Sequence, residues 1–288
     1  MTAELPAALV DALRSASRSG EIAIAYSGGL DSRFLAFSAK KTGLTPLLYH
    51  VTGPHVAPAE SESALSHARE MGFPVTVVPF DPSVLDLARA GRARCYVCKK
   101  ALFSAVLAKL REDRPDLPLC DGMNASDANQ CCLLQKIGGV ISDLTVYRPG
   151  RRALEELGVL SPLAEARIAK ADIRRIGAAI GLPAPDQAAR PCLLTRFPYG
   201  VTPPREALDT VAEVEAFLET LPDAAGLRYR LRYPAGRPEL HWEKSDALTE
   251  ERLGRIALAL FKAFPDALKG LTMRTFETLS GYYDRPNS

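Results

Sequence analysis

The stretch from Ile22 to Arg33 constrains the fold of this chain more than any other. It reads Ile22-Ala23-Ile24-Ala25-Tyr26-Ser27-Gly28-Gly29-Leu30-Asp31-Ser32-Arg33, an apolar run followed by a Gly-Gly turn edged with hydroxyls and one carboxylate. Phe34-Leu35-Ala36 then resumes with helical spacing, so the segment predicts strand, tight loop and helix. Such a loop leaves the first amides of the helix without partners, at the positive end of its dipole, where an anion satisfies them. Gly28 and Gly29 let the backbone approach that anion closely, and Ser27 and Ser32 add hydroxyl donors. Asp31 would repel a bare phosphate, and makes sense as the ligand of a phosphate-bound Mg2+. No Gly-Lys-Ser/Thr follows the glycines, which excludes a Walker loop.

The rest of the chain has to supply a sheet for that loop, and 288 residues suffice for two domains. Hydrophobic residues at 47% and charged residues at 24% describe a globular chain with an ample core. A formal net charge of +2 argues against broad nucleic-acid binding and confines any polyanion site to a local patch. No apolar run approaches the ~18 residues of a membrane helix, and the N-terminus lacks a basic segment leading into an apolar one, so the expected location is the cytoplasm. Six cysteines without a secretion signal read as reduced thiols, metal ligands or catalytic groups rather than disulfides.

In chain order, Leu5 to Ser17 predicts a helix, Leu47 to Val51 a second strand, Ala59 to Gly72 a helix, and Val75 to Phe80 a third strand. This alternation is the rhythm of a doubly wound parallel sheet, whose ligands sit beyond the carboxyl ends of the strands. His50 and His55 fall on that rim, either against a ligand or as solvated loop residues. Leu117 to Cys120 reads as a further strand entering a polar loop, with Asp121, Asn124 and Asp127 on the same rim and Cys120 in the core. Ala101 to Arg111 and Lys170 to Ile180 carry helical spacing, while 128–146 has no clear assignment.

Two cysteine segments stand apart from this scaffold. Cys95 and Cys98 form a Cys-x-x-Cys among Arg92, Arg94, Lys99 and Lys100, cations that lower a thiol pKa or attract anions. A single pair cannot fill a tetrahedral zinc site. Cys192 lies in a proline-punctuated loop, Arg190-Pro191-Cys192-Leu193-Leu194-Thr195-Arg196, between two arginines. Beyond Gly200 the texture changes to a compact α+β pattern of two helices and three strands, with Arg228, Arg230 and Arg232 either on the solvated face of the first strand or serving a phosphorylated ligand or a subunit interface.

The Ser27–Ser32 loop resembles that of the PP-loop ATP pyrophosphatases, which split ATP into AMP and pyrophosphate to adenylate a carbonyl or carboxyl oxygen. Further motifs follow in order: Arg94-Cys-Tyr-Val-Cys-Lys99, Asp121-Gly-Met-Asn124, Tyr147-Arg-Pro-Gly150, Gly158-Val-Leu-Ser-Pro-Leu163, Lys170 to Arg174, and Pro191-Cys-Leu-Leu-Thr-Arg196 with Tyr199-Gly200. Together, over residues 20–200, they resemble one branch of that superfamily, the LarE-type ATP-dependent sulfur transferases.

The resemblance implies an α/β, doubly wound parallel sheet of PP-loop (adenine nucleotide α-hydrolase-like) type over 1–199. A smaller α+β domain over 200–288 would serve assembly, as a homo-oligomer, or substrate binding. It implies ATP and Mg2+, with Ser27, Gly28, Gly29, Asp31, Ser32, His50, Asp121, Asn124, Arg148 and Lys170 around the nucleotide and Asp31 on the metal. The loop amides, Lys99 and Lys170 would stabilise charge at the α-phosphorus. The substrate would be a small carboxylated, nucleotide-like compound such as a pyridinium mononucleotide on the way to a nickel-pincer cofactor, with no membrane or nucleic-acid partner. Cys192 matches the family's sulfur-donating cysteine. Its sulfur is either sacrificed after attack on the adenylate, or Cys95, Cys98 and Cys192 hold three irons of a [4Fe-4S] cluster whose fourth iron binds a sulfide.

The 128–146 stretch is longer than the family's link between the same motifs, which leaves room for a thiolase acting on another small molecule, such as a purine. An ammonia-using PP-loop synthetase is the rival enzyme and has no need of Cys192. A nucleotide-binding regulator without turnover is the rival outside enzymes.

Overall fold

The computed structural model of the chain describes residues 4–129, 149–188 and 190–284, so the expectations for 130–146 and for Arg148 lie outside the described residues. In chain order the elements are α1 (Ala7–Ser15), β1 (Glu21–Ala25), α2 (Leu30–Lys41), β2 (Thr45–Thr52), α3 (Pro58–Glu70), β3 (Val75–Pro79), α4 (Leu87–Ala90), α5 (Arg94–Asp113), β4 (Leu119–Cys120), α6 (Ala125–Asn129), α7 (Pro149–Glu156), α8 (Pro162–Glu165), α9 (Lys170–Ile180), α10 (Arg205–Thr220), β5 (Tyr229–Arg232), β6 (Glu239–Glu243), α11 (Glu250–Ala263) and β7 (Thr272–Phe276). They divide into two compact units. The first takes 1–53, 60–85 and 93–190; the second takes 54–59, 86–92 and 191–288.

The first unit is an α/β structure on a parallel sheet of order β3-β2-β1-β4. β1 lies at its centre because both of its faces are apolar. Ile22 and Ile24 pack with Leu9, Leu13, Phe34, Leu35, Ile173 and Ile176 from α1, α2 and α9. Ala23, between them, faces Val106 and Leu110 of α5 and Leu154 of α7 on the opposite side. Helices therefore cover both faces, as a fully buried parallel sheet requires. Burial of each large side chain in this core is worth about 1.5–3 kcal/mol. A single-residue bridge between Cys120 and Leu160 extends the sheet beyond β4.

Two boundaries differ from expectation. β4 has only two residues rather than the four of 117–120, because Leu117 still belongs to a turn, its N–H donating to Arg114 O at 3.2 Å. The helix expected from Ala101 already starts at Arg94, since nothing after Gly91, at φ +50°, breaks it. Cys95 is thus on its first turn and Cys98 at the start of its second.

The second unit carries a three-stranded sheet of order β5-β6-β7, antiparallel and then parallel, with α10 and α11. The arginine row on β5 is not a solvated face throughout. Arg232 is 4% exposed and donates to Leu279 O at 2.5 Å and to His241 Nδ1 at 3.0 Å, because the segment 279–283 covers that end of the sheet. Among the described residues no helix is long and apolar enough to cross a membrane.

Candidate nucleotide site and cysteine loop

Within the first unit β1 is flanked by β2 on one side and β4 on the other, so the strand order reverses between β1 and β4. That is where open α/β sheets bind ligands, and both loops that leave it carry expected site residues.

The loop after β1 is shaped by Gly28, whose φ is +75°. A Cβ there would stand 2.3 Å from the Cβ of Ala64, so α3 sits directly on this turn. α2 starts at Leu30 with no side-chain cap, which leaves its first-turn amides for an anion. Ser32 Oγ donates to Gly29 O at 3.0 Å and lies 3.3 Å from Ser27 Oγ, while Gly29 N–H donates to Ser27 Oγ at 3.3 Å. The two hydroxyls therefore set the curvature of the loop as well as lining it. Asp31 accepts from Lys170 Nζ at 2.7 Å, and each side chain is 27% exposed.

The loop after β4 presses on this turn. A Cβ at Gly122 would come 2.9 Å from Ser32 N and 3.2 Å from Asp31 C. Asp121 is buried and accepts from Ser161 Oγ at 2.7 Å and from Met123 N–H at 3.2 Å. Burial holds its carboxyl above the ordinary carboxylate range, against the opposing pull of Ser161, Lys99 and the Met123 amide. Asn124 Oδ1 accepts from Ser126 N–H at 2.9 Å and Asp127 N–H at 3.4 Å, so its oxygen is spent capping α6. Ser126 Oγ in turn accepts from Lys170 N–H at 3.0 Å, joining α6 to the start of α9. Lys99 runs past Gly150, where a Cβ would lie 2.8 Å from its Cδ. Ser27, Gly28, Gly29, Asp31, Ser32, Asp121, Asn124, Lys99 and Lys170 thus gather about the switch point.

His50 does not offer a ring nitrogen to that space. It is buried, Nδ1 bonds Tyr26 O at 2.9 Å, and Nε2 bonds Ser61 Oγ at 3.1 Å. Burial lowers its pKa and keeps it neutral, and its role is to tie the end of β1 to α3. Ser161 and Ser126 carried no role from the sequence. Their partners are 40 and 44 residues away, and only the Gly158–Leu163 motif marked one of them. Cys120 is buried, and burial pushes its thiol up to about 12, as suits a core residue.

In the second unit Cys192 is exposed and precedes a single 3-10 turn, Leu193–Arg196. Arg196, expected as a cation beside the thiol, is instead buried and paired to Glu215 of α10 through Nε–Oε1 at 3.0 Å and Nη2–Oε2 at 2.6 Å. Arg190, in the first unit, pairs with Glu60 at 3.5 Å. Cys95 is exposed and Cys98 buried. Among the described residues no group of three or more His, Cys, Asp or Glu side chains is placed to hold a metal ion.

No family model matches the chain. Over 200 residues it is 34% identical to the uncharacterized protein slr1717 of Synechocystis sp., spanning 69% of this chain and 68% of that one. It is 30% identical over 206 residues to the uncharacterized protein MJ0830 of Methanocaldococcus jannaschii, 72% of each chain. Pyridinium-3,5-bisthiocarboxylic acid mononucleotide synthase of Lactiplantibacillus plantarum is 27% identical over 217 residues, 75% of this chain and 72% of that one.

Proposed function

We propose that this chain, which belongs to the same family as slr1717 and MJ0830, is a PP-loop-type enzyme that adenylates a small-molecule carboxylate with ATP and replaces its oxygen by sulfur. The observation that carries the reading is the convergence of the uncapped α2 N-terminus with Lys170 and the Asp121 loop at the strand-order reversal. The product in the name of the more distant relative, a bisthiocarboxylic acid mononucleotide, supports sulfur as the incoming atom.

In this reading the β- and γ-phosphates of ATP rest on the amides of Leu30 to Ser32. A carboxylate oxygen of the substrate attacks the α-phosphorus and the bond to pyrophosphate breaks, with Lys99 and Lys170 offsetting the developing charge. Mg2+, held by Asp31 together with the phosphates, would neutralise further charge, in keeping with a cation that takes one or two carboxylates plus phosphate oxygens. The Cys192 thiolate then attacks the acyl carbon, forming a thioester and expelling AMP. Loss of the Cys192 Cα proton with cleavage of its Cβ–S bond leaves a thiocarboxylate product and a dehydroalanine.

The test incubates the protein with ATP and pyridinium-3,5-biscarboxylic acid mononucleotide, following pyrophosphate and intact protein mass. Pyrophosphate release that Asp31→Ala abolishes, with loss of one hydrogen sulfide at Cys192, is expected. Thiolated product from Cys192→Ser, or no pyrophosphate from the unaltered protein, overturns the reading.

A further inference from the structure

The loop that carries Cys192 is gripped from inside the second unit by one guanidinium. Arg196 is 3% exposed, and two of its three nitrogens meet the carboxylate of Glu215 in a forked pair. Glu215 is itself fixed, because Oε1 also accepts from Leu231 N–H of β5 at 3.0 Å. The third nitrogen, Nη1, is turned to the cysteine. It donates to Pro191 O at 3.0 Å, to Thr195 Oγ1 at 2.8 Å, and more weakly to Cys192 O at 3.4 Å. Cys192 O also accepts from Thr195 N–H at 3.1 Å and Thr195 Oγ1–H at 2.8 Å.

The following peptide is held as well. Leu193 N–H donates to His55 O at 2.9 Å, and Arg196 O accepts from Tyr233 N–H at 2.9 Å and Tyr283 Oη at 3.0 Å. The carbonyls before and after the Cys192 Cα are thus anchored while its side chain stays exposed. A buried ion pair is a poor way to gain stability, since apolar residues of similar volume do as well or better. It is a good way to fix one backbone conformation, because the planar guanidinium fork sets both distance and angle.

We propose that Arg196, aligned by Glu215, is the positioning residue that presents the Cys192 thiol for sulfur transfer. The proposal rests on the reading of Cys192 as the sulfur source, and assigns Arg196 no contact with substrate. It separates two quantities that a merely structural arginine would change together, pyrophosphate release and thiolated product. A cysteine displaced by about 1 Å loses up to about a hundredfold in attack rate, whereas adenylation is left alone.

The experiment compares the full chain with Arg196→Lys and Glu215→Gln, at matched thermal midpoints, in the assay with ATP and pyridinium-3,5-biscarboxylic acid mononucleotide. Iodoacetamide alkylation of Cys192, read by peptide mass, is followed in parallel without substrate. For Arg196→Lys, pyrophosphate release is expected within about twofold of the unaltered chain, while product per pyrophosphate falls at least about tenfold. Glu215→Gln is expected to fall in between, and the alkylation rate to change in both. An unchanged product-to-pyrophosphate ratio in a folded Arg196→Lys overturns the proposal. If that variant does not fold, an unchanged ratio in Glu215→Gln does so. Absence of pyrophosphate from the unaltered chain sinks the underlying reading, and the two failures are thereby told apart.

Discussion

Lys170 Nζ and Asp31 Oδ1 are 2.7 Å apart, which joins the first residue of α9 to the first turn of α2. The pair neutralises the one carboxylate on a turn whose amides otherwise invite an anion. Lys170→Met therefore leaves an uncompensated negative charge beside the phosphate position. Discounted for partial exposure, the cost is about 1–2 kcal/mol, or roughly a tenfold weaker affinity for ATP, measurable by calorimetry. With ATP in the absence of Mg2+, adding Asp31→Asn recovers part of the loss, because the two residues are coupled.

Gly28 meets two demands at once, a φ of +75° and contact with Ala64. Gly28→Ala is expected to cost about 1–3 kcal/mol through strain and overpacking, read as a fall in thermal midpoint. Ala64→Gly in the same chain removes the clash with the Cβ but leaves the Cα of residue 64 at 2.7 Å and the backbone strain, so it restores only a fraction.

Asp121 is expected to make the first unit more stable in mild acid than at neutral pH, so far as this group decides. Its folded pKa is raised above 3.8 by burial, so the folded state holds the proton more tightly than the unfolded one. Its contribution falls as pH rises from 3.8 through the raised value. Ser161→Ala removes a donor that opposes the shift, extends that fall to higher pH, and costs about 1–2 kcal/mol where the carboxylate is ionised. Urea denaturation between about pH 4 and 7 checks both, and Asp121→Asn should flatten the dependence.

His241 predicts the opposite slope in the second unit. Its imidazole is buried between Arg232 and Glu239 and lowered from 6.5 to about 4, chiefly by burial. The unfolded chain takes up the proton below 6.5 while the folded one resists until about 4, so stability falls with pH across that window. Trp242, the single tryptophan and fully buried on the same strand, gives a fluorescence readout. His241→Gln, which cannot titrate, should remove the acid step.

The strand, loop and helix of 21–41 were legible because local signals agree there: apolar run, glycines, hydroxyls, helical spacing. The alternation that predicted the parallel sheet was equally local. What escaped were side chains whose role depends on distant partners. His50 looks like a rim ligand until α3 supplies Ser61 and covers it. Arg232 looks solvated until Leu279 and Tyr282 close over it. Arg196 reads as a cation for a thiolate, and only the placement of Glu215, 19 residues on, reveals that its charge is already matched. Arg33 gave no signal at all, yet it is fully buried and donates to Pro183 O, Ala184 O and Gln187 Oε1, securing the chain that leaves α9.

The approach of Gly122 to the backbone of Asp31 and Ser32 bears on how relatives diverge. A Cβ at 122 would push against main-chain atoms that cannot rotate away. Substitution there is closed to gradual drift, and a lineage that acquires alanine or serine at this position has released the turn from its duty. On the proposed function, residue 122 is therefore a single-letter marker by which relatives that keep this turn tight can be told from those that kept only the scaffold.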